Sequence, residues 1–447
     1  MKKSILILLV TSLSSFYSCA QETDPTPTPL DPFQVQTNPQ DQVQSQRKKI
    51  KLAILLDTSN SMDGLIAQAK NQLWKIVNQL AKAKDPDGID PEIDIALYQY
   101  GNDGLSVYSG YVQQVMNFTG ELDDISEQLF ALRTNGGSEY CGTVIQTSLQ
   151  ELQWSDSPDD LQFIFIAGNE AFTQGQVSYQ LACGMANQQN VIVNTIFCGN
   201  YNQGINTGWK DGADLGKGRY MNIDSDAKTI HYTTQYDPRI SQLNIQLNQT
   251  YIPYGAQGTM KKEKQIQQDE AAESLGSANY AKRAISKSSK VYRNASWDLV
   301  DAMDEKSFKL EEVQTNQLPG EMRSLNPVQL EAYVNIKKNE REQIKKQISE
   351  LNKKREADVA QQKAKDASAS GSNLDDAIIQ AIVDQAKSKR YSFEDWSWWT
   401  WKPSQRHWLG SCFSKLVWGK SIWAVTVLLS KHWRPKEFSF KREAVLR

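Results

Sequence analysis

The sequence predicts an α/β fold, a doubly wound and mainly parallel β-sheet, which is followed by an α-helical region. Residues 50–56 form a nearly continuous apolar run, which is typical of a strand covered on both faces. Apolar residues then recur at three- and four-residue spacing over residues 65–80, as in a helix that packs on a sheet. Beyond residue 255, strand-like runs disappear and Gln, Lys and Glu dominate. These observations divide the folded part into residues 49–255 and 256–391.

Strands and helices alternate along residues 49–255. After the first strand and helix, the sequence predicts strands at 93–100, 163–166 and 191–197, and helices around 143–153 and 178–189. Alternation of this kind implies a parallel sheet with helices on both faces. Ligands of such sheets bind at the carboxyl ends of the strands, and Asp57 follows the first strand at that position.

The composition excludes several classes of site. The net charge is −2, so the chain as a whole has no excess positive charge for binding nucleic acid. The chain has three histidines, and its five cysteines form no C-x-x-C pair, which argues against histidine metal sites and zinc ribbons.

The N-terminus is predicted to direct the protein to the cell envelope. Residues 1–18 contain two lysines and a short apolar segment. They end with a small residue, Ser18, directly before Cys19. The pattern resembles a bacterial lipoprotein signal, which implies lipidation at Cys19. An ordinary secretory signal is the alternative. Residues 19–48 are rich in proline and poor in apolar residues, so we predict an extended tether. Acidic residues just after Cys19 resemble a surface-display signal of Bacteroidetes lipoproteins; whether the protein faces the surface or the periplasm stays open.

Asp57, Ser59 and Ser61 form the pattern D-x-S-x-S directly after the first strand. Three short oxygen-bearing side chains on one turn suit a hard divalent cation. The stretch resembles the first motif of the metal ion-dependent adhesion site (MIDAS) of von Willebrand factor A domains. That resemblance implies binding of Mg²⁺, or of Mn²⁺ or Ca²⁺, through these side chains. The alternative is that the aspartate and serines cap the following helix.

The resemblance continues in two further loops, each with departures from the family pattern. In the second loop, Ser138, Glu139 and Thr143 are candidate ligands, with Thr143 preferred as the family's threonine; otherwise Thr143 caps the next helix.

In the third loop, Gly168 stands where the family usually has an aspartate, so Asn169 or Glu170 replaces it or the ligand is missing. Residues 214–224 resemble the family's late helix and last strand. The resemblance ends near residue 235.

The resemblance predicts an envelope lipoprotein that binds a protein through a bound cation, in adhesion or in complex assembly. The partner would present an acidic side chain, with a glycan as the second choice. The alternative is a structural or assembly protein that acts through its helical region and has an inert metal site. Cys141 and His231 could in principle form a catalytic pair, but no group orients the histidine, and we predict no enzymatic activity. Cys141, Cys183 and Cys198 allow no pairing to be deduced.

Residues 256–391 are predicted to be helical. Asn326 and Pro327 indicate a helix start, since Asn caps helices and Pro suits the first helical position. Apolar residues beyond them follow one face, which Lys337 and Arg341 interrupt. We expect an exposed helix that packs through one stripe against residues 299–310 or their neighbours, with a coiled coil as the alternative. A linker at 365–373 and a short helix over 377–383 follow.

Residues 392–447 form an atypical basic tail. Its part from Trp396 onward holds eight of the chain's 12 tryptophans and has ten basic residues against two acidic ones. One interpretation is a segment that rests on an anionic membrane surface. The other, which we favour because the segment lacks two-faced periodicity, is a shifted reading frame or a fusion.

Overall fold

A six-stranded sheet lies at the centre of residues 47–224, 226, 230–366 and 374–393, the part of the chain that a computed structural model describes. The predicted signal peptide, Cys19, the tether up to residue 46, the linker over 367–373 and the tail beyond residue 393 lie outside the described residues. The predictions for these segments stay predictions.

The strands are β1 (Lys49–Asp57), β2 (Ala83–Lys84), β3 (Glu92–Tyr100), β4 (Val112–Thr119), β5 (Leu161–Gly168), β6 (Ile192–Cys198), β7 (Lys217–Ile223) and β8 (Ser392–Phe393). The main sheet has the order β4-β3-β1-β5-β6-β7. All neighbours in it are parallel except β3 and β4. The predicted mainly parallel sheet is therefore confirmed.

The helices are α1 (Asp63–Leu80), α2 (Leu122–Ala131), α3 (Cys141–Glu151), α4 (Tyr179–Gln188), α5 (Tyr201–Asn206), α6 (Trp209–Leu215), α7 (Asp237–Asn248), α8 (Gly258–Ser274), α9 (Ser277–Ser288), α10 (Leu299–Ala302), α11 (Pro327–Lys365) and α12 (Leu374–Ser388). Among the described residues, none of them combines the length and the apolar character that crossing a bilayer requires. The helical C-terminal region that the sequence predicts is confirmed.

Each face of the sheet has its own hydrophobic core. Alternate residues of β1 point to opposite faces, so Leu52 and Leu56 pack with α1 and α2, whereas Ala53 and Leu55 pack with α3 and α4. This coverage of both faces explains why the strand is apolar throughout.

Strand β4 was not predicted. Its pairing with β3 shifts register twice, between Ile95 and Leu97 and between Leu97 and Tyr98. Such irregularities disturb the alternation of buried and exposed residues by which a half-buried strand is found in a sequence.

Helix α12 returns to the sheet after the other C-terminal helices. It packs against α1 and lies beside β6 and β7, where the Gln385 side-chain amide donates to Asn194 Oδ1 at 2.6 Å. Directly after it, β8 pairs antiparallel with β2. The last described segment of the chain therefore helps to cover the same face as α1.

Helix α11 starts at the predicted residue, where the Asn326 side chain accepts from the backbone N–H of Gln329 at 2.9 Å. It contacts α7, α9 and α10, and α10 lies within the predicted packing partner, residues 299–310. Val334, Arg341 and Ile348 recur at intervals of seven and are all buried. The prediction that Arg341 interrupts the packing face was wrong, because its guanidinium pairs with Asp298 at 2.6 Å inside the stripe.

A buried ion-pair cluster joins the helices of the C-terminal region to α2. Asp269 pairs with Lys287 at 2.7 Å and with Arg283 at 3.0 Å, and Arg283 also pairs with Asp123 of α2 at 2.6 Å. Burial alone would raise the pKa of Asp269, but Lys287 and Arg283 hold it below its ordinary value. A carboxylate with a lowered pKa contributes stability above its unfolded-state pKa, and this contribution is lost as the pH falls through the folded-state pKa.

We expect Asp269→Asn to lower the unfolding free energy at pH 7 by about 3–5 kcal/mol, because the buried Lys287 loses its carboxylate partner and Arg283 keeps only Asp123. The difference in unfolding free energy between the variant and the unmodified protein should become smaller as the pH falls below about 4, where the carboxylate of Asp269 becomes protonated. Urea unfolding at several pH values measures both effects. Asp304→Asn, which removes an exposed partner of Lys338, is the control and should cost at most about 1 kcal/mol. Equal losses of unfolding free energy in the two variants would contradict the conclusion that Asp269 forms a buried ion-pair cluster.

Candidate metal site

Asp57 ends β1 at the carboxyl edge of the sheet and is fully buried. Its Oδ1 accepts from the backbone N–H of Ser59 at 2.7 Å, while its Oδ2 is buried without a hydrogen-bond partner. Neither the short 3₁₀ turn over 60–62 nor α1 has a side-chain hydrogen bond at its N-cap. The alternative in which the aspartate and serines cap the helix was therefore wrong, and Asp57 keeps one oxygen free for another partner.

The two serines of the motif connect β1 to the loop after β5. The hydroxyl groups of Ser59 and Ser61 lie 3.1 Å apart, and the Asn169 side-chain amide donates to Ser61 Oγ at 3.0 Å. The structure thus places Asn169, one of the two proposed replacements for the missing aspartate, beside the first motif.

Glu139 lies beside Asp57 and is 4% exposed. The position of a Cβ atom on Gly101 would be 2.7 Å from both Asp57 Oδ1 and Glu139 Cγ, so both side chains border the same glycine. Glu139 Oε2, like Asp57 Oδ2, is buried without a hydrogen-bond partner. Two buried carboxyl groups with unsatisfied oxygens are costly unless a cation or a proton accompanies them.

The electrostatics of the pair agree with this geometry. Burial, followed by the nearby Glu139, raises the pKa of Asp57 well above its ordinary value. Burial also raises the pKa of Glu139, and the charge of Glu170 adds to that effect. Burial and the proximity of the two groups therefore disfavour the state in which both carboxyl groups are charged.

The other candidate residues lie differently. Among the described residues, no hydrogen bond joins Thr143 or Ser138 to the D-x-S-x-S motif. The methyl group of Thr143 lies over Gly110, and α3 has no side-chain cap, so Thr143 does not cap it either. Glu170 is exposed and its carboxylate accepts from Gln174 at 3.3 Å. The metal roles of Thr143, Ser138 and Glu170 stay predictions.

A close contact explains why residue 168 is glycine. A Cβ atom there would lie 2.5 Å from the hydroxyl oxygen of Tyr100 and 3.1 Å from Asp57 Oδ2. The Tyr100 hydroxyl is itself fixed, since it donates to the carbonyl of Ala167 at 3.0 Å. An aspartate at position 168 has no room beside this tyrosine, and the second carboxylate of the site comes from Glu139 instead.

The donors that converge here are two carboxylates, two hydroxyl groups and one side-chain amide. Oxygen ligands of this kind suit Mg²⁺, Mn²⁺ or Ca²⁺. Within the described ranges, no group of three or more His, Cys, Asp or Glu side chains is arranged to hold a metal, so a cation at this site would depend on the serine hydroxyls. The two unsatisfied buried carboxylate oxygens are the observation in this donor set that fits a cation.

Residues 51–207 match the sequence profile of the von Willebrand factor type A domain family. This part of the chain is a von Willebrand factor type A (vWA) domain. The vWA domain thus includes β1 to β6 and all of the candidate ligands. vWA domains that have a MIDAS motif bind divalent metals.

Solved structures similar to the chain include the conserved hypothetical protein BatB from Bacteroides thetaiotaomicron, with 13% identity, 39% of this chain and 90% of that chain covered, and a TM-score of 0.31. An aerotolerance-related membrane protein from Bacteroides fragilis NCTC 9343 has 13% identity and a TM-score of 0.28. The match covers 40% of this chain and 93% of that chain. Proximal thread matrix protein 1 from the mussel byssus, with a zinc-occupied MIDAS motif, has 13% identity, 39% and 42% coverage and a TM-score of 0.30. A search of curated proteins finds no match.

The cysteines of the vWA domain are free thiols. Cys141, Cys183 and Cys198 are all buried, and no disulfide joins them. Burial raises the pKa of Cys141 well above its ordinary value, and its thiol lies 3.8 Å from the Tyr100 hydroxyl. The ring of His231 contacts Asn71 at 3.0 Å.

We expect Gly168→Ala to destabilise the vWA domain by about 1–3 kcal/mol, because the new methyl group meets the Tyr100 hydroxyl. Tyr100→Phe removes that hydroxyl and should cost about 1 kcal/mol for its hydrogen bond. The double variant should then be more stable than the sum of the two losses implies, which denaturant unfolding in a double-mutant cycle measures. Strict additivity would show that the contact does not determine the glycine.

Proposed function

We propose that this protein is an envelope lipoprotein whose vWA domain holds a divalent cation and binds a protein partner there. The observation that carries the proposal is the pair of buried carboxylate oxygens, on Asp57 and Glu139, that lack hydrogen-bond partners beside the hydroxyl groups of Ser59 and Ser61. Mg²⁺ is the proposed ion, with Mn²⁺ and Ca²⁺ as alternatives.

The proposed ligands divide into charged and neutral groups. Asp57 and Glu139 would supply the negative charge that balances the cation, and they would no longer be buried without partners. Ser59, Ser61 and Asn169 would supply neutral oxygens, and the amide of Asn169 would orient Ser61. The cation, when bound, offers a Lewis-acidic position to an oxygen of the partner.

The charge balance bears on what the partner presents. The resemblance predicts that the partner presents an acidic side chain to the cation. Two carboxylates neutralise a divalent ion, so its attraction for a third carboxylate is weaker and any oxygen donor competes. An acidic partner would therefore need positive charge from elsewhere on the same edge of the sheet.

We propose a binding function rather than catalysis. A nucleophilic cysteine needs a lowered pKa and a nearby base. Burial has the opposite effect on Cys141, and the contact of His231 is with Asn71.

Addition of Mg²⁺ should raise the melting temperature, since a ligand that binds only the native state stabilises it by about 2.7 kcal/mol at 100 times its Kd. Asp57→Asn and Glu139→Gln should abolish or strongly reduce this rise. In EDTA, the same variants should be as stable as the unmodified protein or more stable, because each removes a costly buried charge. Differential scanning calorimetry with and without Mg²⁺ measures both effects.

The control for the metal experiment is Asp214→Asn, an exposed aspartate on α6 that pairs with Lys210. It should leave the metal response unchanged. If no thermal shift and no heat of binding appear at millimolar Mg²⁺, Mn²⁺ or Ca²⁺, the site is inert. The structural or assembly function through the helical region then takes its place.

Membrane attachment through lipidated Cys19 is the remaining part of the proposal, and it is supported by the sequence pattern alone. Cells fed an alkyne fatty acid should label the protein, and Cys19→Ser should remove the label. Several acyl chains anchor a protein firmly, since each buried methylene contributes about 0.8 kcal/mol. Recovery of the unlabelled protein from the secreted soluble fraction would refute the anchor.

A further inference from the structure

A polar cleft lies beside the metal site, at the end of the sheet where β3 and β4 meet the C-terminus of α2. Its volume is about 320 Å³, and Gln99, Asn102, Leu105, Gln113, Gln128 and Arg133 contribute to its lining. The volume is at the lower end of the range for small-ligand sites, so it suits a few side chains or one short segment rather than a globular surface.

Hydrogen bonds connect the cleft to the metal motif. The hydroxyl of Thr58, the residue after Asp57, donates to Gln99 Oε1 at 3.2 Å. Asn102 Nδ2 donates to the carbonyl of Arg133 at 3.1 Å and lies 3.4 Å from the carbonyl of Thr58. One ligand could therefore contact both the cleft and an ion at Asp57.

The cleft offers hydrogen-bonding groups like those of a peptide. Gln99 Nε2 donates to Gln113 Oε1 at 2.6 Å, which leaves the amide nitrogen of Gln113 available. The Gln128 side chain has no hydrogen-bond partner in the part of the chain that the structure describes. Amide donors and acceptors of this kind match the N–H and C=O groups of an extended backbone. Moreover, β4 is an edge strand of the described sheet, which is where extended segments add to sheets.

Positive charge is concentrated at one end of the cleft. Arg133 is exposed and donates to the carbonyls of Phe130 and Leu132, and Lys70 donates to the carbonyl of Leu132 at 3.2 Å. Neither cation has an acidic partner among the described residues, and the cleft lining contains no acidic side chain. Guanidinium groups in this situation bind carboxylates with charge-assisted hydrogen bonds.

The loop that continues from Leu105 of the cleft lining contains a short turn with exposed apolar side chains. Tyr108 is 99% exposed and Val107 58% exposed. The Ser106 side chain accepts from the backbone N–H of Tyr108 at 3.1 Å, and the Ser109 hydroxyl donates to the carbonyl of Val112 at 2.9 Å. An exposed tyrosine on an ordered turn costs little conformational entropy when it is buried by a partner.

We propose that this cleft binds an extended, acidic peptide segment of the partner protein, with a partner carboxylate on Arg133 and Lys70 and with Tyr108 packed against the segment. The inference rests on the proposed function in one respect, that the same partner contacts the cation. Arg133 and Lys70 would supply the positive charge that a cation neutralised by two carboxylates lacks.

The test selects a phage-displayed library of random heptapeptides on the immobilised full-length chain in 1 mM Mg²⁺. Asp and Glu should be enriched over Lys and Arg in the selected peptides. Arg133→Glu should remove or reverse this enrichment. It should also weaken the affinity for the tightest-binding selected peptide, measured with a fluorescent label, about tenfold or more, as expected for one charge-assisted contact. Arg239→Glu is the matched control, since Arg239 is also exposed and has no ion pair in the described residues. A thermal melt and the Mg²⁺ response of each variant establish that the fold and the metal site are intact.

Three results would overturn the inference. They are no acidic enrichment on the unmodified chain, the same enrichment on Arg133→Glu, and binding to a glycan array without selection of any peptide. A different result would refute the metal-dependent function without refuting the cleft. Acidic peptides that bind in EDTA as tightly as in Mg²⁺, and that still require Arg133, would support the cleft while refuting the role of the cation.

Discussion

A parallel sheet must be covered on both faces, and most of this structure follows from that constraint. Strand β1 sends Leu52 and Leu56 to one face and Ala53 and Leu55 to the other, and each set needs helices against it. On the first face α1 is not sufficient, and α12 returns from the far end of the chain to lie beside it. Along the chain, the helices from α7 to α11 therefore lie between two segments that cover the same face of the sheet.

The helical region from α7 to α11 is held by buried charges as well as by apolar contacts. Arg283 connects α9 to Asp123 of α2, and Arg341 connects α11 to Asp298 before α10. Buried ion pairs contribute little net stability compared with apolar residues of the same size, because both ions lose their hydration. Their loss is nevertheless costly, since one partner would remain buried and unpaired. They thus favour the arrangement in which both partners of each pair meet.

The same sheet places the functional residues. Parallel strands end at one edge, so the loops after β1, β3 and β5 meet there although they are far apart in sequence. Close packing at that edge then decides which side chains can be used. The Tyr100 hydroxyl occupies the space beside residue 168, and the second carboxylate is supplied by Glu139 from the loop before α3. The site therefore has two carboxylates, those of Asp57 and Glu139, and the third loop contributes the amide of Asn169.

The sequence by itself determined the fold class, the central strands, the start of α11 and the D-x-S-x-S turn after β1, because each depends on neighbours within a few residues. Periodicity reports which residues of one element are buried, and D-x-S-x-S lies on a single turn. Tertiary structure alone decided the rest. The irregular pairing of β4 has no regular alternation, the burial of Arg341 depends on Asp298 in another segment, and the pairing of Glu139 with Asp57 depends on a contact across Gly101. Such features depend on residues distant in the chain, whose proximity exists only once the sheet and its helices have packed.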